Sequence, residues 1–187
     1  MKLVALKKIH EGKFLTYYVA DYLNGNGDIK SYEFISRNKN LTLDTFGDVV
    51  PAGVGMVAFN MDKSRVLLQK EFRLACNQWV YNFPAGLIDK GETAVDTARR
   101  EIKEETGADM KQVDAVLPPS FASQGTSDEA MQIVICRCGG EITNSCYIDE
   151  EIEANWFTKD EVKALLDQGA YMSVRTQMFL WQWANEK

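Results

Sequence analysis

The chain has 187 residues, 45% of them hydrophobic, and a formal net charge of −6. That length supports one principal domain with a sizeable core, and the acidic balance excludes nucleic acid and anionic membrane as general partners. His10 is the only histidine, and the four cysteines at 76, 136, 138 and 146 form no CxxC pair, which excludes a zinc cluster.

In chain order, LVALKKI, FLTYYVADYL and IKSYEFISR are rich in β-branched and aromatic residues and predict three strands. HEGK and NGNGD supply the turns between them. Lys7 cuts the opening apolar run short, so no secretion signal is expected, and the expected compartment is the reducing cytoplasm. A looser stretch with Gly47, Pro51, Gly53 and Gly55 marks the expected join between an N-terminal β-region, residues 1–46, and a main domain, residues 47–187. There GMVAFN and RVLLQKEF read as strands around the turn NMDKS, and MQIVICRC as a buried strand with Cys136 and Cys138 on one face. Helical periodicity falls at 93–106, 159–167 and 173–185. Strand runs interrupted by a few helices predict a mixed sheet with helices on its faces. In the last helix, Val174, Met178 and Trp181 form a stripe expected to be core or subunit interface.

The segment GLIDKGETAVDTARREIKEETGA, residues 86–108, carries the chemistry. Thr93 and Asp96 make a capping box, and Gly107 suits the left-handed end of the helix. Val95, Ala98 and Ile102 share a core-facing side. At about 100° per residue, Glu101 and Glu105 lie roughly 40° apart, with Glu104 about 60° to the other side. Like charges at these spacings repel, and the negative end of the helix dipole makes that worse. The segment is either a solvated surface helix or a site for a hard cation, and Mg²⁺ is commonly held by such carboxylates together with substrate phosphates.

The spacing G-x5-E-x7-R-E-[apolar]-x-E-E-x-G-[apolar] resembles the Nudix box at every position: Gly86, Glu92, Arg100, Glu101, Ile102, Glu104, Glu105, Gly107 and Ala108. The resemblance implies the Nudix fold, a mixed-sheet α/β/α sandwich, here with a small N-terminal antiparallel sheet, and hydrolysis of a diphosphate linked to another group. It implies Glu101 and Glu105 as principal Mg²⁺ ligands (Mn²⁺ being a substitute), Glu104 assisting, and the carbonyl of Ala85 as a further ligand. Arg100 is expected to pair with Glu92 and hold the acidic helix in register.

Beyond the box, residues 32–129 resemble the ADP-ribose pyrophosphatase branch. YEFISR supplies Tyr32, Phe34 and Arg37 as expected substrate contacts, and QKEFR ends on Arg73, an expected phosphate clamp. SQGTSDE, residues 123–129, resembles the branch's mobile catalytic loop, with Glu129 as the expected catalytic carboxylate and Asp128 its competitor. Two positions depart from the branch: Gln124 stands where it has a marker proline, and Asn82 where it usually has glutamate. The implied reaction is hydrolysis of ADP-ribose to AMP and ribose 5-phosphate. Another Nudix pyrophosphohydrolase, acting on coenzyme A, NADH or a nucleoside triphosphate, and a non-catalytic nucleotide-binding regulator remain alternatives. The branch uses its N-terminal sheet to complete the base pocket across a dimer, so a homodimer is expected, and Tyr17, Tyr18, Tyr22 and Tyr32 are expected to be exposed.

Overall fold

The computed structural model describes residues 1–143 and 151–186, so Cys146 lies outside the described residues. The elements run β1 (Lys2–Glu11), β2 (Thr16–Leu23), β3 (Ile29–Ser36), β4 (Pro51–Phe59), β5 (Arg65–Arg73), β6 (Gln78–Asn82), β7 (Ala85–Leu87), α1 (Ala94–Thr106), β8 (Asp109–Val116), β9 (Ser120–Phe121), β10 (Ala130–Gly139), β11 (Ile152–Thr158), α2 (Lys159–Asp167) and α3 (Val174–Asn185). All three helices expected from apolar periodicity form. The short strands β6, β7 and β9 carry too few residues to show a period. The chain divides into two compact units: Met1–Ala52 with Pro119–Met131, and Gly53–Pro118 with Gln132–Lys187.

The first unit is built on the antiparallel sheet β1-β2-β3. Strand alternation turns Thr16, Tyr18 and Ala20 to the covered face. There the Phe34 ring stacks on Tyr18 and Phe46 at 5.6 and 4.7 Å between centroids. The expectation that Tyr18 is exposed is therefore wrong: it is 1% exposed. Its hydroxyl donates to the Asn38 carbonyl at 2.9 Å, which satisfies the buried oxygen. Tyr17 and Tyr22 are half-buried, and Tyr32 is the one of the four that is exposed.

The second unit is an α/β sandwich with a mixed sheet in the order β11-β5-β4-β10-β8, extended by β6 on β5 and β7 on β4. Residues of β4 divide by parity: Val54, Met56 and Ala58 pack with Ala98 and Ile102 of α1. Val57 and Phe59 pack with Val162 of α2 and with Leu180, Trp183 and Ala184 of α3. Helices on both faces explain why β4 is a continuous buried run and not an alternating one. Cys136 and Cys138 fall on the α1 side, as the spacing predicts. The stretch expected to be loose ends early, because Pro51, Gly53 and Gly55 belong to β4; a Cβ at Gly55 would meet Ile133 Cδ1 at 3.1 Å. Of the two readings of the stripe Val174, Met178 and Trp181, the core is excluded: the stripe is exposed, because α3 turns Thr176, Leu180, Trp183 and Ala184 inward instead. Among the described residues no helix is long and apolar enough to cross a membrane.

Candidate active site

Helix α1 starts and stops where local chemistry dictates. Thr93 and Asp96 form the reciprocal capping box, and Gly107 ends the helix at φ 71°, where a side chain would be strained. Ala98 and Ile102 anchor one side in the core. The remaining turn positions leave Glu101 and Glu104 within reach of Arg100, while Glu105 turns to Gln69.

Arg100 organises this cluster. Its Nε and Nη2 donate to the two oxygens of Glu92 at 2.9 and 3.0 Å, the forked geometry of an arginine–carboxylate pair. Its Nη1 donates to Glu101 at 2.7 Å and to Glu104 at 3.3 Å, and its Nη2 also reaches the Leu87 carbonyl at 3.1 Å. The Thr97 hydroxyl adds a bond to Glu92 at 2.8 Å. Hydrogen bonding from Arg100, then Thr97, holds the Glu92 carboxyl down at about 2. The Glu92 bond in turn raises Arg100 above its ordinary value.

Glu105 is in the opposite condition. It is 8% exposed, and Gln69 Nε2 donates to its Oε2 at 2.8 Å. Burial pushes its pKa up to about 8; the charges of Glu101 and Glu71 add to the shift, while hydrogen bonds from Gln69 and the Ala85 backbone oppose it. Gln69 was not foreseen as a site residue. Its signal was present: a polar side chain inside the apolar run RVLLQKEF, on the parity of Leu67, which faces α1.

Strand β7 pairs with β4 through Val54↔Gly86 and Gly55↔Ala85, and this places Gly86 against Glu101. A Cβ at position 86 would lie 2.0 Å from Glu101 Cδ and Oε1. The glycine is thus required by a close approach and not by a turn. Gly86→Ala is expected to push the Glu101 carboxylate aside while leaving the backbone in place. Thermal melting should barely move, whereas divalent-cation affinity by calorimetry should fall on the order of tenfold or more. Unchanged affinity would mean that Glu101 does not need this position.

Among the described residues, no three acidic, cysteine or histidine side chains already converge as a cation cage. The donor set nevertheless fits a hard divalent ion. Its side chains offer only carboxylate oxygens, one of them is desolvated at Glu105, and Arg100 draws Glu101 and Glu104 together.

The other expected residues occupy two places. In the second unit, Arg73 ends β5 with its guanidinium exposed and Nη1 3.3 Å from Glu71 Oε2. In the first unit, the loop after β9 docks along β3. Ile35 N–H donates to the Thr126 carbonyl at 3.0 Å and Tyr32 Oη to the Gly125 carbonyl at 2.8 Å. Ser36 Oγ donates to Asp128 at 2.9 Å, and Arg37 Nε to Glu129 at 2.5 Å. Burial raises the Asp128 carboxyl, with the Ser36 bond opposing and the Glu129 charge adding. Tyr32 and Phe34 line a cavity of about 540 Å³ with Tyr22, Phe46, Phe121 and Asp128. Two residues expected to serve separately, Arg37 and Glu129, are each other's partner.

Residues 50–176 match the NUDIX domain. The chain is 24% identical over 177 residues to the ADP-ribose pyrophosphatase of Bacillus subtilis, covering 94% of this chain and 88% of that protein. It is also 24% identical over 172 residues to the CMP-5'-(N-acetyl-N-hydroxy-3-aminopropyl)phosphonate hydrolase of Streptomyces rubellomurinus, covering 92% and 76%. The crystal structure of an ADP compounds hydrolase superposes with a TM-score of 0.73 at 19% identity, covering 97% of this chain and 91% of that one, a likeness of fold.

Proposed function

The chain belongs to the NUDIX family, and we propose that it is a divalent-cation-dependent pyrophosphohydrolase that cleaves ADP-ribose to AMP and ribose 5-phosphate. The observation that carries this reading is the buried Glu105 carboxyl beside Glu101, on a helix whose Glu101 and Glu104 both meet Arg100. Glu101, Glu105, Glu104 and the Ala85 carbonyl would hold Mg²⁺, or Mn²⁺ in its place. When bound, the cation offsets repulsion between the substrate diphosphate and the carboxylates and makes water a better nucleophile at neutral pH.

The chain's own residues supply the rest. Glu92 fixes Arg100, and Arg100 fixes the direction of Glu101 and Glu104. Gly86 leaves the room that Glu101 needs. Arg73 and Arg37 contact the phosphates, and the exposed Tyr32 ring provides a flat aromatic surface for the base. Phe34, expected beside it, is buried against Tyr18 and Phe46 and supports the sheet instead. Glu129 accepts the proton of the attacking water as its oxygen bonds to one phosphorus and the bridging P–O bond breaks. A homodimer joined through the first unit is supported by apolar side chains left exposed there, among them Phe14, Ile29 and Tyr32.

A broader nucleoside diphosphate specificity is the second reading. Gln124 in place of the branch's proline favours it, as does a relative of equal identity named for a phosphonate substrate. Release of AMP and of the phosphorylated product from ADP-ribose, ADP-glucose, GDP-mannose, UDP-glucose, NADH and coenzyme A, with and without Mg²⁺, tests both. ADP-ribose should have the highest kcat/KM, and no turnover should occur after chelation. Preference for coenzyme A, or turnover independent of divalent cation, would overturn the proposal.

A further inference from the structure

Asn82 stands where the ADP-ribose pyrophosphatase branch usually has glutamate, and the structure gives that departure a physical consequence. Asn82 lies opposite Gln69 in the β5–β6 register. Its Oδ1 accepts from the Ser173 N–H at 3.2 Å and from Thr176 Oγ1 at 3.3 Å, where α3 begins. With the oxygen committed to the helix start, the amide nitrogen is directed the other way and donates to Glu71 Oε1 at 3.0 Å. The second oxygen of Glu71 faces Arg73 Nη1 at 3.3 Å. Residue 71 therefore accepts a hydrogen bond on one oxygen and sets the other against a guanidinium charge, which a carboxylate does and a neutral glutamine amide does not. A glutamate at 82 would instead set two carboxylates against each other.

We propose that Glu71 is a positioning residue for Arg73, fixed from behind by Asn82, so that β5 presents a pre-oriented guanidinium to the substrate diphosphate. This rests on the reading of Arg73 as a phosphate contact. Glu71 and Arg73 share one side of β5, two residues apart. The Glu71 side chain is 14% exposed and that of Arg73 is 57% exposed, so the anchor is largely covered and the gripping end is exposed. The guanidinium is ion-paired with Glu71 through Nη1, and its N–H groups can turn to phosphate oxygens. An untethered surface arginine loses much rotamer freedom on gripping an anion, and the tether removes part of that loss beforehand. Glu71 is also near enough to Glu105 for its charge to be felt there. Service to the cation cluster is the competing role.

A double-mutant cycle separates the two. Wild type, Glu71→Ala, Arg73→Ala and the double variant are compared by calorimetric binding of inorganic pyrophosphate with Mg²⁺ and by kinetics on ADP-ribose. Glu71→Ala should raise both Kd and KM about five- to tenfold with kcat within about threefold, and should add less than about twofold in the Arg73→Ala background. Glu71→Gln, which keeps the volume and loses the charge, should move the same way, with melting temperatures reporting that each variant folds. Additive effects, an unchanged KM, or a fall in Mg²⁺ affinity without substrate would overturn the assignment. If the wild type does not hydrolyse ADP-ribose, the functional reading fails, while the pyrophosphate cycle still decides the positioning role.

Discussion

Glu105→Gln and Glu101→Gln are each expected to lower turnover by at least about a hundredfold, the scale seen when one group stabilising transition-state charge is removed. The fold should survive, because neither change disturbs the apolar side of α1 formed by Ala98 and Ile102. The two variants should part company in their pH dependence without cation. The Glu105 carboxyl ionises at about 8 in the folded chain against an ordinary 4.5. Between those values the folded state holds a proton that the unfolded state has released, so wild-type stability is highest below the window and falls as pH rises through it. Denaturant midpoints across the window should therefore slope downward for wild type and lie flat in that range for Glu105→Gln. Adding Mg²⁺ should remove the slope, because binding takes the ionised form and releases the proton. Parallel curves for the two proteins would sink the assignment of Glu105, as would turnover within tenfold of wild type.

The second large effect is expected in the loop. Glu129→Gln should lower kcat by about two to four orders of magnitude, the range of general acid–base help. KM should change little, as for an interaction made mainly in the transition state. Asp128→Asn should be milder. Its half-buried carboxyl accepts a bond from Ser36 at 2.9 Å, and an amide oxygen can accept the same bond. Steady-state kinetics on both variants with one good substrate decide the matter. A crippled Asp128→Asn enzyme would transfer the base role to that residue. Two near-normal enzymes would leave the loop as a cover only.

By itself the sequence determined the parts governed by short-range geometry. Thr93, Asp96 and Gly107 set the ends of α1, and 3.6-residue periodicity placed Ile102 inward and three glutamates in a row, because capping bonds and helical angles involve residues within a few positions of one another. The family box, and with it the Glu92–Arg100 pair, was legible for the same reason. Strand parity also put Cys136 and Cys138 on one covered face. Only the tertiary structure decided how deeply each carboxyl is buried and what it meets. Gln69 and Glu105 are 36 positions apart, and Ser36 and Asp128 are 92 apart. Their meeting depends on which strands pair, and one-dimensional spacing does not encode that. The same holds for Gly86, whose missing side chain matters because β7 pairs with β4 beside Glu101. It holds too for Tyr18, which is buried against expectation, and for the stripe Val174, Met178 and Trp181, which the fold turns outward. An amphipathic pattern states that two sides differ, but the neighbouring layer chooses which one it covers.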